Sequence, residues 1–128
     1  MEAKDAGSLT LAFLGDAVYE LFVRERVISQ GSSPKVDVLS HACVKYVNAG
    51  SQAKAVKKMI EEGFFTEEET LIVKRARNHR TSTKAKNADP VDYKWATGLE
   101  AVIGWLKMQD REDRMNEIME RAAQITEG

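Results

Sequence analysis

The chain has 128 residues, of which 43% are hydrophobic and 30% charged, and its net charge is −1. That length excludes two ordinary domains and suits a single domain with one core, at residues 1–128. Cys43 is the only cysteine, which excludes an internal disulfide. Neither a signal peptide nor an apolar run of the ~20 residues that a membrane span needs is present. The composition therefore predicts a cytoplasmic globular protein without a membrane partner.

The first predicted helix covers residues 9–29, where apolar residues recur at helical spacing until Gln30-Gly31-Ser32 ends them. One apolar arc predicts the face that packs in the core: Leu11, Leu14, Val18, Leu21 and Phe22. Asp16 lies nearly opposite, and Ala12 and Glu20 share its face one turn to either side. Exposed acids on such a helix are usually no more than solvated.

Two neighbours of Asp16 favour more than solvation. Gly15 stands in mid-helix, where glycine costs ~1 kcal/mol relative to alanine, so we expect close approach of another backbone or of a ligand. Phe13 lies outside the apolar arc, on the Asp16 side. An exposed aromatic residue there indicates contact with another molecule, such as a second subunit.

Three further helices are predicted before the basic part of the chain. Ser33-Pro34 combines an N-cap residue with proline at the first helical position, which predicts a second helix through about Asn48. A third helix is predicted over residues 51–62, closed by Gly63. Thr66-Glu67-Glu68-Glu69 is a capping box and opens the fourth helix.

A basic stretch follows, with no acid among its members: Lys74, Arg75, Arg77, Arg80, Lys84 and Lys86. Residues 77–88 lack apolar periodicity and are predicted to form a loop. The chain from Asp110 onward is rich in acids by contrast. This asymmetry indicates a localised anionic partner, although a solvated loop would have the same composition.

Asp89-Pro90 predicts the start of a fifth helix, which reaches about Gln109. One stripe of this helix is apolar: Trp95, Leu99, Val102 and Leu106. The opposite stripe carries Thr97, Glu100 and Gly104. A last helix over residues 110–125 completes an all-α domain of about six to seven helices.

If the Glu100 face meets the Asp16 face, two carboxylates from distant parts of the chain converge. Like charges packed together are unfavourable unless a cation lies between them. A small number of oxygen ligands favours Mg²⁺, with Mn²⁺ as a substitute. The chain has no phosphate-binding glycine loop, zinc-ligand spacing or Ser-His-Asp set. His41, His79 and Cys43 are most simply a helix-surface, a loop and a core residue.

Two segments resemble the signature segments of the ribonuclease III family. Leu11-Ala12-Phe13-Leu14-Gly15-Asp16-Ala17-Val18-Tyr19-Glu20 resembles the signature helix, in which the aspartate after Phe-Leu-Gly binds metal. Gly98-Leu99-Glu100-Ala101-Val102-Ile103-Gly104 resembles the later helix, whose glutamate is the other essential ligand. Residues 77–88 and 93–101 are similar to the Mini-ribonuclease III group of that family, which consists of the catalytic domain alone.

The resemblance implies a Mg²⁺-dependent endoribonuclease that cleaves double-stranded RNA to 5′-phosphate and 3′-hydroxyl ends. It implies a homodimer that acts in maturation of the large-subunit (23S) ribosomal RNA, without a separate double-stranded-RNA-binding domain. Asp16 and Glu100 would be the catalytic metal ligands. Thr97 and Glu20 are candidate supporting residues, and for Glu20 a side chain that merely faces water is an equal alternative. The basic stretch would bind RNA phosphates, and Phe13 would lie at the dimer interface.

Two positions depart from the full-length enzymes, which carry a glutamate where this chain has Ala12 and an aspartate where it has Thr97. The acid set is therefore reduced, with one firm cation position and a second one open. This reduction supports an alternative, a non-catalytic helical RNA-binding module derived from the same fold. A helical adaptor that binds proteins through Phe13 and the tryptophans is a third alternative. Asp16 and Glu100 favour the enzyme, because phosphate binding alone favours no acids there.

Overall fold

A computed structural model describes residues 1–31, 33–80 and 89–128. These residues form a short 3-10 helix, Ala3–Asp5, and six α-helices, with no strand among them. In chain order the α-helices are α1 Ser8–Ser29, α2 Val36–Val47, α3 Ala49–Glu61, α4 Glu67–Arg77, α5 Pro90–Met108 and α6 Glu112–Glu127. None of these helices is long and apolar enough to cross a bilayer. The all-α class and the number of helices are confirmed.

The starts of α4 and α5 have the hydrogen bonds that their sequences predict. Thr66 Oγ1 accepts from the Glu69 backbone N–H at 3.1 Å, and Glu69 Oε1 accepts from the Thr66 N–H at 2.9 Å. Asp89 Oδ1 accepts from the N–H groups of Val91 and Asp92 at 2.8 and 3.2 Å. Each bond satisfies a backbone donor that has no partner inside its helix.

The predicted starts of α2 and α3 are each wrong by two residues. Ser33 Oγ accepts from the Lys35 N–H at 3.1 Å, so the hydroxyl closes a local turn and the helix begins only at Val36. Asn48 both ends α2 and caps α3, because its Oδ1 accepts from the Ser51 N–H at 2.8 Å. The third helix therefore begins before the predicted residue 51.

The buried side of α1 differs from the predicted apolar arc. It follows four-residue spacing: Leu11, Gly15, Tyr19, Val23 and Val27 are buried. Leu21, which the arc placed in the core, is 60% exposed, and Ala12, which we placed on the acid face, is buried. The small residues Ala12 and Gly15 let another helix come closer than a leucine face allows, so this side of α1 turns inward.

That other helix is α5, which lies at the centre of the fold and packs against α1, α3, α4 and α6. Every residue from Leu99 to Leu106 is buried except Glu100. The sequence predicted one apolar stripe and one stripe with an acid and small residues. Both stripes are packed, because α5 has neighbours on all sides.

Two ion pairs fasten α6 to the other helices. Arg26 donates to both carboxylate oxygens of Glu127 at 2.7 and 2.8 Å, and Tyr46 Oη donates to the same carboxylate at 2.7 Å. These hydrogen bonds, led by those of Arg26, lower the pKa of Glu127 to about 2. Arg114 binds both oxygens of the buried Glu69 at 2.9 and 2.8 Å, which joins α6 to α4.

Candidate active site

The two helices that carry the acids cross with their backbones in contact. A Cβ atom added to Gly15 would lie 1.7 Å from the backbone oxygen of Glu100. A Cβ added to Gly104 would lie 1.9 Å from the backbone oxygen of Leu11. Only glycine fits at these positions while the crossing is kept. The close approach that Gly15 predicted is confirmed, and its partner is the backbone of α5.

This crossing makes Asp16 and Glu100 neighbours. Asp16 follows Gly15 and is exposed, whereas the side chain of Glu100 is largely enclosed by protein. Burial, and next the negative charge of Asp16, raise the pKa of Glu100 to about 8. A carboxyl group in that state retains a proton at neutral pH unless a cation compensates the charge. The convergence of the two acids is therefore an arrangement that favours a bound cation.

Gln52 is the third polar group at this place, and sequence reasoning missed it. It lies on α3, is only 3% exposed, and its Nε2 donates to the Val47 backbone oxygen at 2.9 Å. The same Nε2 lies 3.4 Å from Glu100 Oε2, while Oε1 has no hydrogen-bond partner. A buried acceptor without a partner costs ~1–3 kcal/mol. The signal that the sequence offered was a single amide side chain, Gln52, among the apolar residues of the buried face of α3.

The other residues that the sequence associated with the acids have separate contacts. Thr97 Oγ1 donates to the Tyr93 backbone oxygen at 2.9 Å, and Glu20 accepts from Arg24 Nε at 3.1 Å. No three His, Cys, Asp or Glu side chains of the described ranges are grouped so as to hold a metal ion. The site that geometry defines therefore has two carboxylates and one amide.

Phe13 is 82% exposed, as its position outside the apolar arc predicted. It lines a shallow depression of 340 Å³ together with Asp16 and Glu20. A large aromatic side chain in this position offers apolar area to a second molecule directly beside the acids.

The described part of the basic stretch lies at and beyond the end of α4. Lys74, Arg75 and Arg80 are exposed. The guanidinium carbon of Arg77 lies 4.5 Å from the centre of the Trp95 ring, which is within the range of a cation–π contact. Lys84 and Lys86 lie outside the described residues. Arg77 thus places one positive charge of α4 against α5, the helix that carries Glu100.

The histidines and the cysteine have the ordinary environments that we expected. His41 is exposed on α2, His79 is exposed beyond α4, and Cys43 is buried. None of the three belongs to the site of Asp16 and Glu100.

The model of the ribonuclease III domain matches residues 9–111 of this chain. A Mini-ribonuclease 3 of Streptococcus pneumoniae is 42% identical over 120 residues, which cover 94% of this chain and 93% of that protein. A Mini-ribonuclease 3 of Staphylococcus aureus is 40% identical over 117 residues, with 91% and 87% covered. A crystal structure of a Fusobacterium nucleatum protein is similar, with a TM-score of 0.79, 34% identity and 91% of both chains covered.

The chain therefore belongs to the ribonuclease III family. Its similarity to several proteins named Mini-ribonuclease 3 confirms the group that the sequence resembled. The enzyme class of the family, an endoribonuclease, is confirmed as well.

Proposed function

We propose that this endoribonuclease cleaves double-stranded RNA with Mg²⁺ held by Asp16 and Glu100, giving 5′-phosphate and 3′-hydroxyl ends. The observation that carries the proposal is the crossing of α1 and α5, which makes these two acids neighbours. The proposal treats residues 1–128 as one catalytic domain.

The donor set fits a hard divalent cation. Burial first, and then the negative charge of Asp16, raise the pKa of Glu100, so joint ionisation of the two carboxyl groups is disfavoured without a cation. Mg²⁺ prefers oxygen ligands, accepts few of them from protein, and keeps several waters. A bound Mg²⁺ supplies a Lewis acid for the phosphodiester and a water of lowered pKa. Asp16 would hold the cation from the exposed side, and Glu100 from the enclosed side.

RNA binding is proposed for the basic residues at the end of α4 and in the segment that follows. Lys74, Arg75 and Arg80 are exposed and so accessible to phosphates. A-form duplexes are recognised mainly through shape, phosphates and 2′-hydroxyl groups. We therefore expect modest sequence selectivity and an affinity that falls steeply with salt.

A homodimer would give one site for each strand of the duplex. We place Phe13 in its interface, because this exposed ring lies beside Asp16 and offers apolar area for burial. The substrate that we propose is a precursor of the large-subunit ribosomal RNA. Comparing the 5′ and 3′ ends of that RNA in cells with and without this protein tests the assignment.

The main experiment incubates the protein with long duplex RNA, either with Mg²⁺ or with a chelator. We expect cleavage only with the cation. Asp16→Asn should abolish cleavage while the fold and RNA binding stay nearly intact. Asp113→Asn is the matched control, since Asp113 is an exposed acid on α6. Substantial cleavage by Asp16→Asn, or cleavage in the chelator, would contradict the assignment of the metal ligand.

A second experiment tests the basic segment. Lys84→Ala combined with Lys86→Ala should weaken RNA binding and reduce the slope of log affinity against log salt by about 2, at roughly 0.9 per phosphate contact. Lys107→Ala is the control, because Lys107 is paired with Glu112 at 2.7 Å. An unchanged slope would mean that the segment is merely a solvated loop.

A non-catalytic RNA-binding module is the weaker alternative. Its support was the reduced acid set, and the family match together with the neighbouring Asp16 and Glu100 favours the enzyme. The packing of α5 accounts for Gly15, so this residue does not separate a protein adaptor from the enzyme. The adaptor still gives no reason for the basic stretch.

A further inference from the structure

Gln52 joins three helices at the candidate site. Its backbone belongs to the second turn of α3, its Nε2 donates to Val47 at the end of α2, and the same atom faces Glu100 on α5. Both of these neighbours present acceptor oxygens. The amide is therefore oriented with its nitrogen toward them, and neither of them donates to Oε1.

The position of Oε1 matters because this buried atom has no partner in the protein. Buried polar groups are almost always hydrogen-bonded to protein or to ordered solvent. Nε2 lies 3.4 Å from Glu100 Oε2, and Oε1 belongs to the same small amide. A carboxylate-bound Mg²⁺ lies about 2.1 Å from its oxygens, and its waters extend a further ~2.1 Å. With a hydrogen bond of about 2.8 Å, such a water comes within reach of Gln52 Oε1.

We propose that Gln52 is a positioning residue that completes the cation site: its Nε2 fixes the carboxylate of Glu100, and its Oε1 accepts a hydrogen bond from a cation-bound water. This role rests on the proposed function, because it requires a cation at Asp16 and Glu100. It also accounts for the reduced acid set. A neutral amide orients the hydrated cation without adding a third negative charge to a site whose carboxyl groups already oppose each other's ionisation.

The test measures Mn²⁺ binding to RNA-free protein by electron paramagnetic resonance, and separately the Mg²⁺ dependence of single-turnover cleavage. Gln52→Leu removes both functions of the amide, and Gln52→Asn keeps an amide but withdraws it by one carbon–carbon bond. Both variants should bind Mn²⁺ at least tenfold more weakly, since partners of metal ligands contribute about 10–100-fold to metal affinity. The Mg²⁺ concentration for half-maximal cleavage should rise by the same factor.

Gln52→Glu tests the acceptor separately. It keeps an oxygen for the water but lacks the donor Nε2, so it should bind Mn²⁺ more tightly than Gln52→Leu, which lacks both. Binding as weak as that of Gln52→Leu would overturn the role of Oε1. Gln109→Leu is the matched control, because Gln109 also donates to a backbone oxygen, that of Trp105 at 2.9 Å, away from the acids. It should leave Mn²⁺ affinity unchanged.

The outcomes separate this inference from the proposed function. Wild-type protein that binds no Mn²⁺ and cleaves in a chelator contradicts the cation site itself. Wild-type protein that binds Mn²⁺, with Gln52→Asn binding equally well, contradicts only the role of Gln52. Circular dichroism of each variant establishes the fold, and Gln52→Asn decides the question if Gln52→Leu does not fold.

Discussion

Gly15→Ala inserts a methyl group into the crossing of α1 and α5. Its Cβ would lie 1.7 Å from the Glu100 backbone oxygen, so the helices must separate by roughly 1.3 Å to reach the 3.0 Å below which real Cβ contacts do not occur. The opposing atom belongs to a backbone and cannot rotate away. Overpacking of this kind costs ~3 kcal/mol, while alanine regains ~1 kcal/mol of helix propensity. The net loss is about 2 kcal/mol.

Thermal unfolding followed by circular dichroism measures this loss, which should lower Tm by roughly 8 °C. Gly50→Ala is the control, because the nearest atoms to its Cβ are side-chain ends, Asn48 Oδ1 at 3.3 Å and Asp92 Oδ2 at 3.7 Å. Its stability should change by less than ~1 kcal/mol. Below Tm, Gly15→Ala should also cleave RNA ~100-fold more slowly, since a displacement near 1 Å misplaces the acids. A Gly15→Ala variant more stable than the wild type, as helix propensity alone predicts, would refute the reasoning.

Three other perturbations have defined outcomes. Because the pKa of Glu100 is raised in the folded state, the metal-free protein keeps a proton that the unfolded chain has lost, so its stability should fall as pH rises from about 4.5 to about 8. In urea unfolding across that range, the stability of Glu100→Gln should depend less on pH than that of the wild type. An equal dependence would contradict the assignment. Although burial raises it, hydrogen bonds from Arg114 lower the pKa of Glu69. Glu69→Gln removes the buried carboxylate partner of that arginine, which keeps the Phe64 backbone oxygen and the exposed Glu117. It should cost about 3 kcal/mol in urea unfolding, with an unchanged cleavage rate at low temperature. Loss of cleavage in folded protein would contradict a purely structural pair. Phe13→Asp should convert a dimer to monomers in analytical ultracentrifugation, and a variant that stays dimeric would remove Phe13 from the interface.

Signals in the sequence were reliable where a side chain accepts a hydrogen bond from a backbone N–H group a few residues away. Thr66 with Glu69 and Asp89 with Pro90 cap their helices as predicted, because these hydrogen bonds span only a few residues. Ser33 failed for a related reason. Its hydroxyl accepts from the Lys35 N–H and closes a local turn, so it does not cap a helix.

Long-range packing was less accessible from the sequence. Periodicity predicts Leu21 as a core residue because leucine is large and apolar. The buried face of α1 is instead determined by the close contact of Gly15 with α5, and Leu21 is exposed. The cost of glycine in mid-helix did predict that approach correctly. Gln52 was missed because its role depends on Glu100, which is 48 residues away and which only the fold brings to it.

The central position of α5 has a consequence for the motions of the enzyme. Local opening begins at exposed, weakly packed segments, whereas a helix enclosed by four others opens only when the whole domain unfolds. Backbone amides from Leu99 to Leu106 should therefore be among the slowest in the chain to exchange their hydrogens with solvent. Glu100 is carried by this rigid segment, so its carboxylate is in place before RNA arrives. The entropy cost of ordering the site is then met during folding, and substrate binding does not have to supply it.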